Sequence, residues 1–284
     1  MCYVAQIARA GQRRAGHEVG VGQRPGYSIA VTLTGALAAC GAPGPMDAFE
    51  PGETARVVRI IDGDALVLDT GQSVRLVGVE APSFGRNGEP DAPHAEDSRR
   101  MLEDLVLGRE VRLYYAGLTR DRYDRALAHV ETADRLGPPY WVNDELVRRG
   151  AVRVRAYPDT SLGADALHVS EQIARETDAG LWAVRAYQPR DARDVSEEDR
   201  GFTLVTGILG RRDPPRGDEF SCRRVLLGSE LTVRIEPGAL AACDAPEGQR
   251  VEVRGWLSNG ALYLNASVNL QALPGVPMAE NTAD

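Results

Sequence analysis

Two acidic turns and two arginines set out the chemistry this chain could perform. Asp62-Gly63-Asp64 is followed by Arg75, Glu80, Ala81, Pro82 and Ser83, and later by Asp121-Arg122-Tyr123-Asp124-Arg125. Carboxylates such as those in these segments are hard oxygen donors of the kind that a hard divalent cation accepts. Guanidinium groups at 75 and 125 suit a phosphate, because a planar fork can donate two parallel hydrogen bonds to its oxygens. Phosphodiester cleavage needs these parts together: a hard cation, a base or positioned water, and positive charge facing the developing charge on phosphorus. Taken singly, Asp62 and Asp64 are also ordinary turn formers. Arg75 and Arg125 could equally close on Asp64 and Glu80 as an ion-pair cluster without substrate.

The elements that must position these residues are short. From Arg56 the pattern is β-like: Val57, Val58, Ile60 and Ile61 are β-branched, and Asp62-Gly63-Asp64 breaks the run. Leu66-Val67-Leu68 resumes it, and Asp69-Thr70-Gly71-Gln72 reads as a hairpin turn before 74–79. Pro82 and the Gly/Asn/Pro-rich stretch 84–93 read as a loop. The spacing of Ala95, Leu102, Leu105 and Val106 predicts a helix over 95–107 stopped by Gly108. Strands are expected at 111–115 and 126–130, and helices at 142–149 and 163–177. The order β-β-β-α-β-β-α-α describes a small barrel with helices packed on it, an α+β fold.

Five segments in register resemble the staphylococcal nuclease (thermonuclease) family. They are Asp62-Gly63-Asp64; Arg75-Leu76-Val77-Gly78-Val79-Glu80-Ala81-Pro82; Asp121-Arg122-Tyr123-Asp124-Arg125 with the Ala-Leu-Ala after it; 142–150; and Gly180-Leu181-Trp182. The resemblance implies a five-stranded OB-type β-barrel with three helices over 55–187, and hydrolysis of DNA or RNA with Ca²⁺. It assigns Asp64, Glu80 and the backbone carbonyl of Ala81 to the metal, and Arg75 and Arg125 to the phosphate. Tyr123 matches a tyrosine that contacts the substrate phosphate.

Four positions depart from that pattern. Ser83 stands where the family carries the glutamate that orients or deprotonates the attacking water. Serine is no base near neutral pH, and losing a positioned base costs about 10²–10⁴-fold in rate. Ala65 replaces a threonine, Glu80 an aspartate and Asp124 a glycine. Glu89, in the loop, is a candidate to reach back as a substitute base. Two functions follow from the resemblance: a metal-dependent nuclease of reduced activity, or an inactive module that binds nucleic acid or a protein partner.

The flanking regions carry different signals. Residues 1–26 hold four arginines and one acidic residue, and 27–36 form an apolar run of signal-peptide length. Leu37-Ala38-Ala39-Cys40 resembles a bacterial lipobox, which implies lipidation of Cys40, a membrane anchor and a place in the cell envelope. The basic stretch is long for a signal, and translation is expected to start near Val19 or Val21. Residues 41–54 read as a flexible tether. The polar, mixed-charge stretch 188–200 reads as a linker. Apolar β-like runs at 202–208, 231–235, 251–257 and 261–268, with Asn259-Gly260 as a hairpin turn, predict a small OB-like β domain over 201–273, then a disordered tail at 274–284. Removing Cys2 and lipidating Cys40 leaves Cys222 and Cys243, and two readings are open for them: a disulfide in an oxidising compartment, or two unrelated small apolar residues.

Composition narrows the partners. All 33 basic residues are arginine, yet the net charge is −8. Segment 55–187 alone holds 18 arginines against 22 acidic residues, so no broad basic face coats nucleic acid nonspecifically. Contact with nucleic acid must be made locally, by a few placed arginines.

Overall fold

The computed structural model describes residues 46–214 and 221–274. The export segment, Cys2, Cys40 and residues 275–284 of the tail lie outside the described residues. Among the described residues, no helix is long and apolar enough to cross a membrane.

The first half is built from β1 (Glu50–Asp62), β2 (Ala65–Leu68), β3 (Ser73–Leu76), β4 (Val79–Glu80), α1 (Ala95–Val106), β5 (Glu110–Tyr115), β6 (Ala126–Thr132), α2 (Val142–Arg148), β7 (Arg153–Val154) and α3 (Ala164–Glu176). Strands β1-β2-β3-β6-β5 close into a barrel. All its neighbours run antiparallel except β3 and β6, which pair in parallel. The β-branched and leucine positions fill its interior, where Val57, Leu66, Val74, Leu113 and Val130 are sealed from solvent. This is the five-stranded OB-type barrel with three helices expected from the sequence.

The second half contains β8 (Arg190–Asp191), β9 (Gly201–Asp213), β10 (Cys222–Leu226), β11 (Thr232–Ile235), β12 (Arg250–Ser258), β13 (Ala261–Leu264) and β14 (Leu270–Ala272). Its sheet runs β14-β12-β13-β11-β10-β9-β8, and β12 also pairs with β9, so five of these strands close on themselves. The order β9-β10-β11-β13-β12 repeats that of the first barrel, and again the third and fifth barrel strands, β11 and β13, are the parallel pair. A 3-10 segment, Pro237–Asp244, stands where the first barrel carries α1. A disulfide ties β10 to that segment through Cys222 and Cys243, whose Cα atoms are 6.1 Å apart.

Three stretches differ from the sequence expectations. The tether ends early: Met46 and Phe49 are buried against the first core, with Phe49 packed on His129 and Trp141, and β1 begins at Glu50. Apolar side chains beside a barrel end gain more from burial than the chain gains from freedom. The linker is also structured. Arg190–Asp191 adds a parallel strand to β9, and Ala192 enters the second core. β10 gave no apolar signal because Arg224, at an inward position of its alternating pattern, is buried. Arg224 is satisfied there by the carbonyls of Gly210, Cys243 and Ala245.

One outer face of the β9/β12 ladder packs on the first barrel's helices and β7. Arg175 of α3 forks onto Glu252 at 2.8 and 3.0 Å, Arg254 bonds Glu252 at 2.8 Å, and Arg254 also pairs with Glu171. The side-chain amide of Asn269 meets both the N–H and the carbonyl of Ala156. Arg175, Glu171, Glu252 and Arg254 each have an opposite partner here, which is the condition under which charges tolerate burial.

Candidate functional site

The acidic turn is held by close packing. A Cβ on Gly63 would fall 1.9 Å from Ser98 Oγ and 2.8 Å from Ala81 Cβ, so only glycine lets α1 sit directly on the turn. Within it the Asp64 N–H donates to Asp62 Oδ1 at 3.1 Å, an Asx turn. That fixes the Asp64 side chain inward, where it is almost wholly buried.

Strand β3 brings Arg75 to this carboxylate. Its guanidinium donates from Nη1 to Asp64 Oδ1 at 2.6 Å and from Nη2 to Glu80 Oε2 at 2.9 Å. The Ala81 N–H takes the remaining Asp64 oxygen at 2.7 Å. Glu80 is placed by β4, which pairs antiparallel with β7. The same pairing delivers Arg155, whose Nη1 lies 2.9 Å from Glu80 Oε1. Sequence reasoning did not single out Arg155. Only the pairing of two-residue strands about 75 positions apart places it here, and no local pattern announces such a contact.

Arg125 arrives by the parallel β3/β6 pairing, at the residue before Ala126, which faces Val74. Its Nε donates to Asp121 Oδ2 at 2.7 Å, and its N–H to Asp121 Oδ1 at 3.0 Å. Asp124, where the family pattern has glycine, adopts φ 61°, a conformation that aspartate tolerates better than most residues. Tyr123 projects beside Arg122 and Arg125, with ring distances of 4.8 and 5.8 Å, and is 66% exposed.

These side chains line two grooves that share Arg75 and Glu80. One, of about 550 Å³, is lined by Arg75, Glu80, Asp121, Tyr123, Arg125, Arg155 and Tyr157 among others. The other, of about 530 Å³, runs past Asp62, Asp64, Ala81 and Ser83. Ser83 therefore shares a groove with the acidic residues, while Glu89 lines neither groove. Asp64, Glu80, Ala81, Ser83, Arg75, Arg125 and Tyr123 are thus brought together around one shared pair of residues.

Burial pushes the Asp64 carboxyl well above its usual range, against the opposing pull of Arg75. Burial also works against the charge on Arg75, but Asp64 and Glu80 outweigh it and hold the guanidinium more firmly protonated. For Asp121, desolvation acts upward, yet the bonds from Arg125 bring its carboxyl below the ordinary range.

The donor set does not fit the calcium that the family resemblance implies. Both Asp64 oxygens and both Glu80 oxygens are already taken by arginine or amide donors. Ala81 enters through its N–H rather than its carbonyl. Calcium takes six to eight oxygens, and no cluster of three metal-type side chains occurs among the described residues. His129 does not help, since it is buried between Phe49 and Trp141 with Nε2 3.2 Å from the Leu162 carbonyl.

Residues 73–184 match the model of the staphylococcal nuclease homologue family. The chain is 25% identical over 134 residues to the thermonuclease of Staphylococcus hyicus, covering 46% of this chain and 76% of that protein. It is 28% identical to the thermonuclease of Staphylococcus intermedius, with 46% and 77% covered. It is 31% identical over 120 residues to the "Probable endonuclease LCL3" of Podospora anserina, across 39% of this chain and 42% of that one.

Proposed function

The chain carries a staphylococcal-nuclease-like domain, and on that premise we propose that it captures nucleic-acid phosphodiesters in the arginine-lined cleft and hydrolyses them slowly. The observation that supports this reading is the convergence of Arg75, Arg125, Arg155 and Tyr123 on one cleft. A phosphodiester entering it exchanges with carboxylates for guanidinium forks: with Asp121 at Arg125, and with Glu80 at Arg75 and Arg155. The arginines bind its non-bridging oxygens and gain strength as negative charge builds there during attack. Ser83 can hold a water by a hydrogen bond but cannot take its proton; as that water's oxygen bonds phosphorus and the ester P–O bond breaks, its proton passes to solvent, the departing alkoxide takes one from solvent, and turnover is low. No step runs through calcium, because the carboxylate oxygens are engaged; heats of calcium binding in calorimetry would reopen them as ligands.

The saturation of those same oxygens favours a second reading, a domain that binds nucleic acid without cleaving it. Cleavage and binding of single-stranded DNA by the wild type, Ser83→Glu and Arg125→Ala separate the two. Slow wild-type cleavage, lowered about 10²–10³-fold by Arg125→Ala and raised about 10²-fold by Ser83→Glu, is expected. Binding without cleavage in both wild type and Ser83→Glu selects the second reading, and absence of binding by all three variants rejects both.

Export and lipid anchoring at Cys40 are proposed as well. The apolar run at 27–36 supports them, as does the Cys222–Cys243 bridge, since structural disulfides belong to oxidising compartments. A mature protein whose mass shows a diacylglycerol on Cys40 is expected, and an unprocessed Met1 terminus on the envelope protein rejects the idea.

A further inference from the structure

The outer face of the β9/β12 ladder carries its ionic residues at one end and aromatic residues at the other. Glu252 pairs with Thr206, Arg254 with Leu204 and Trp256 with Phe202 across the two strands, so these residues share one face. The Glu252–Arg254 end is sealed against α3, whereas Trp256 is 49% exposed. Between the barrels, arginines and rings alternate. Arg153 lies 5.0 Å from the Tyr187 ring and 4.9 Å from Phe202. Arg155 lies 4.9 Å from Phe202, 4.9 Å from Tyr157 and 5.8 Å from Trp256. The ladder therefore runs from buried Tyr187 to two rings that reach solvent, Trp256 and Tyr157, the latter 41% exposed.

Position gives this ladder a use. Arg155 is the same side chain that bonds Glu80, and Arg155 and Tyr157 line the phosphate cleft. A half-exposed tryptophan beside a guanidinium is a surface on which a planar π system can stack. A nucleobase is such a system, and it hangs from the phosphate that the cleft would hold. In duplex DNA the bases are stacked on one another and closed to side chains, whereas a single strand offers each base face.

We infer that Trp256 and Tyr157 form a base-stacking subsite at the mouth of the cleft, half of it contributed by the second barrel, which selects single-stranded over duplex nucleic acid. This inference rests on the reading of the cleft as a phosphodiester site. Arg155 links the two functions: one side of its guanidinium serves the ring stack and its Nη1 faces Glu80. The second barrel thereby acts as the specificity element of the first, and its Phe202 ring, 4.9 Å from Arg155, helps to hold that side chain.

The test uses the full chain and three fluorescein-labelled probes: an eight-nucleotide single-stranded DNA, the same strand with abasic spacers in place of every base, and its duplex. Anisotropy titration of the wild type is expected to show tightest binding to the intact single strand. Trp256→Ala should weaken that binding about tenfold or more while leaving the abasic strand within twofold, because stacking on one aromatic accounts for that order of affinity. Trp256→Phe should recover most of the loss. Arg125→Ala should weaken intact and abasic strands by the same factor. Quenching of tryptophan emission by the intact strand, lost in Trp256→Ala, provides a readout at the proposed site, since Trp141 and Trp182 are buried. If folded Trp256→Ala keeps the wild-type ratio between intact and abasic strands, the stacking subsite is overturned and the phosphate reading stands. If the wild type binds no probe, both are overturned.

Discussion

The two barrels of this chain place an arginine at the same point of the same fold and put it to different uses. Arg75 is the third residue of Ser73-Val74-Arg75-Leu76, and Arg234 the third of Thr232-Val233-Arg234-Ile235, each on the third strand of its barrel. Each faces the fifth strand in parallel register, Arg75 opposite Leu127 and Arg234 opposite Tyr263. The surroundings differ at one register position on the second strand. Leu76 bonds the carbonyl of Asp64, and the corresponding Ile235 pairs with Cys222. Asp64 turns a carboxylate onto Arg75, while Cys222 turns away into a disulfide, and Arg234 instead bonds the Tyr263 hydroxyl at 2.8 Å. The barrel supplies a place for an arginine; the turn before the second strand decides whether a site forms there.

Substituting the two arginines tests this contrast most directly. Arg75→Ala strands a buried carboxylate and should cost about 3–5 kcal/mol in urea unfolding, the usual penalty for breaking a buried pair. Arg234→Ala removes a half-buried guanidinium that bonds the Tyr263 hydroxyl and leaves no buried carboxylate opposite it like that of Asp64, so its cost should be smaller, about 1 kcal/mol. Equal losses would break the claim that the buried Asp64 carboxylate makes the first arginine the costlier one to remove.

Reduction acts on the other barrel. The Cys222–Cys243 bridge closes a loop with a sequence separation of 21, and removing it by Cys222→Ser with Cys243→Ser should cost about 3 kcal/mol on the chain-entropy account. Nucleic-acid binding by the folded variant should persist, because the phosphate cleft lies in the first barrel; loss of binding to an abasic strand would contradict that division.

Acid should act on the first barrel, which holds the buried histidines. Burial pulls His129 down to about 4, and burial with the nearby Arg254 pulls His168 to about 3. An unfolded histidine protonates near 6.5, so between that pH and about 4 the unfolded chain binds protons that the folded chain refuses. Stability is then full above pH 6.5 and falls as the pH drops, by up to about 2–3 kcal/mol for His129 at pH 4.5. A urea midpoint series at pH 7.0, 5.5 and 4.5 should show that fall, and His129→Gln should flatten it. An unchanged slope in that variant would move the acid sensitivity elsewhere.

Much of this was legible from the chain alone. The β-branched runs at 57–61 and 66–68, the hairpin at 69–72 and the helix spacing at 95–106 are local patterns, and each sits where the structure puts the element. So are the residue types at 64, 75, 80 and 125, which carry the resemblance to a phosphodiesterase. Asn259-Gly260 announced the hairpin between β12 and β13 for the same reason: a two-residue turn is written in its own residues.

Other features were settled only when distant segments met. Arg155 reaches Glu80 because β4 pairs with β7, and β10 is a strand although Arg224 occupies an inward place. Met46 and Phe49 are core rather than tether because a barrel end needed covering. Sequence determined which groups were available, since residue type and short-range periodicity are local. Tertiary structure decided their partners, because the oxygens of Asp64 and Glu80 are taken by donors from other segments of the chain. The same packing turned two barrels with the same strand order into a charged cleft on one side and a ladder of arginines and rings beside it.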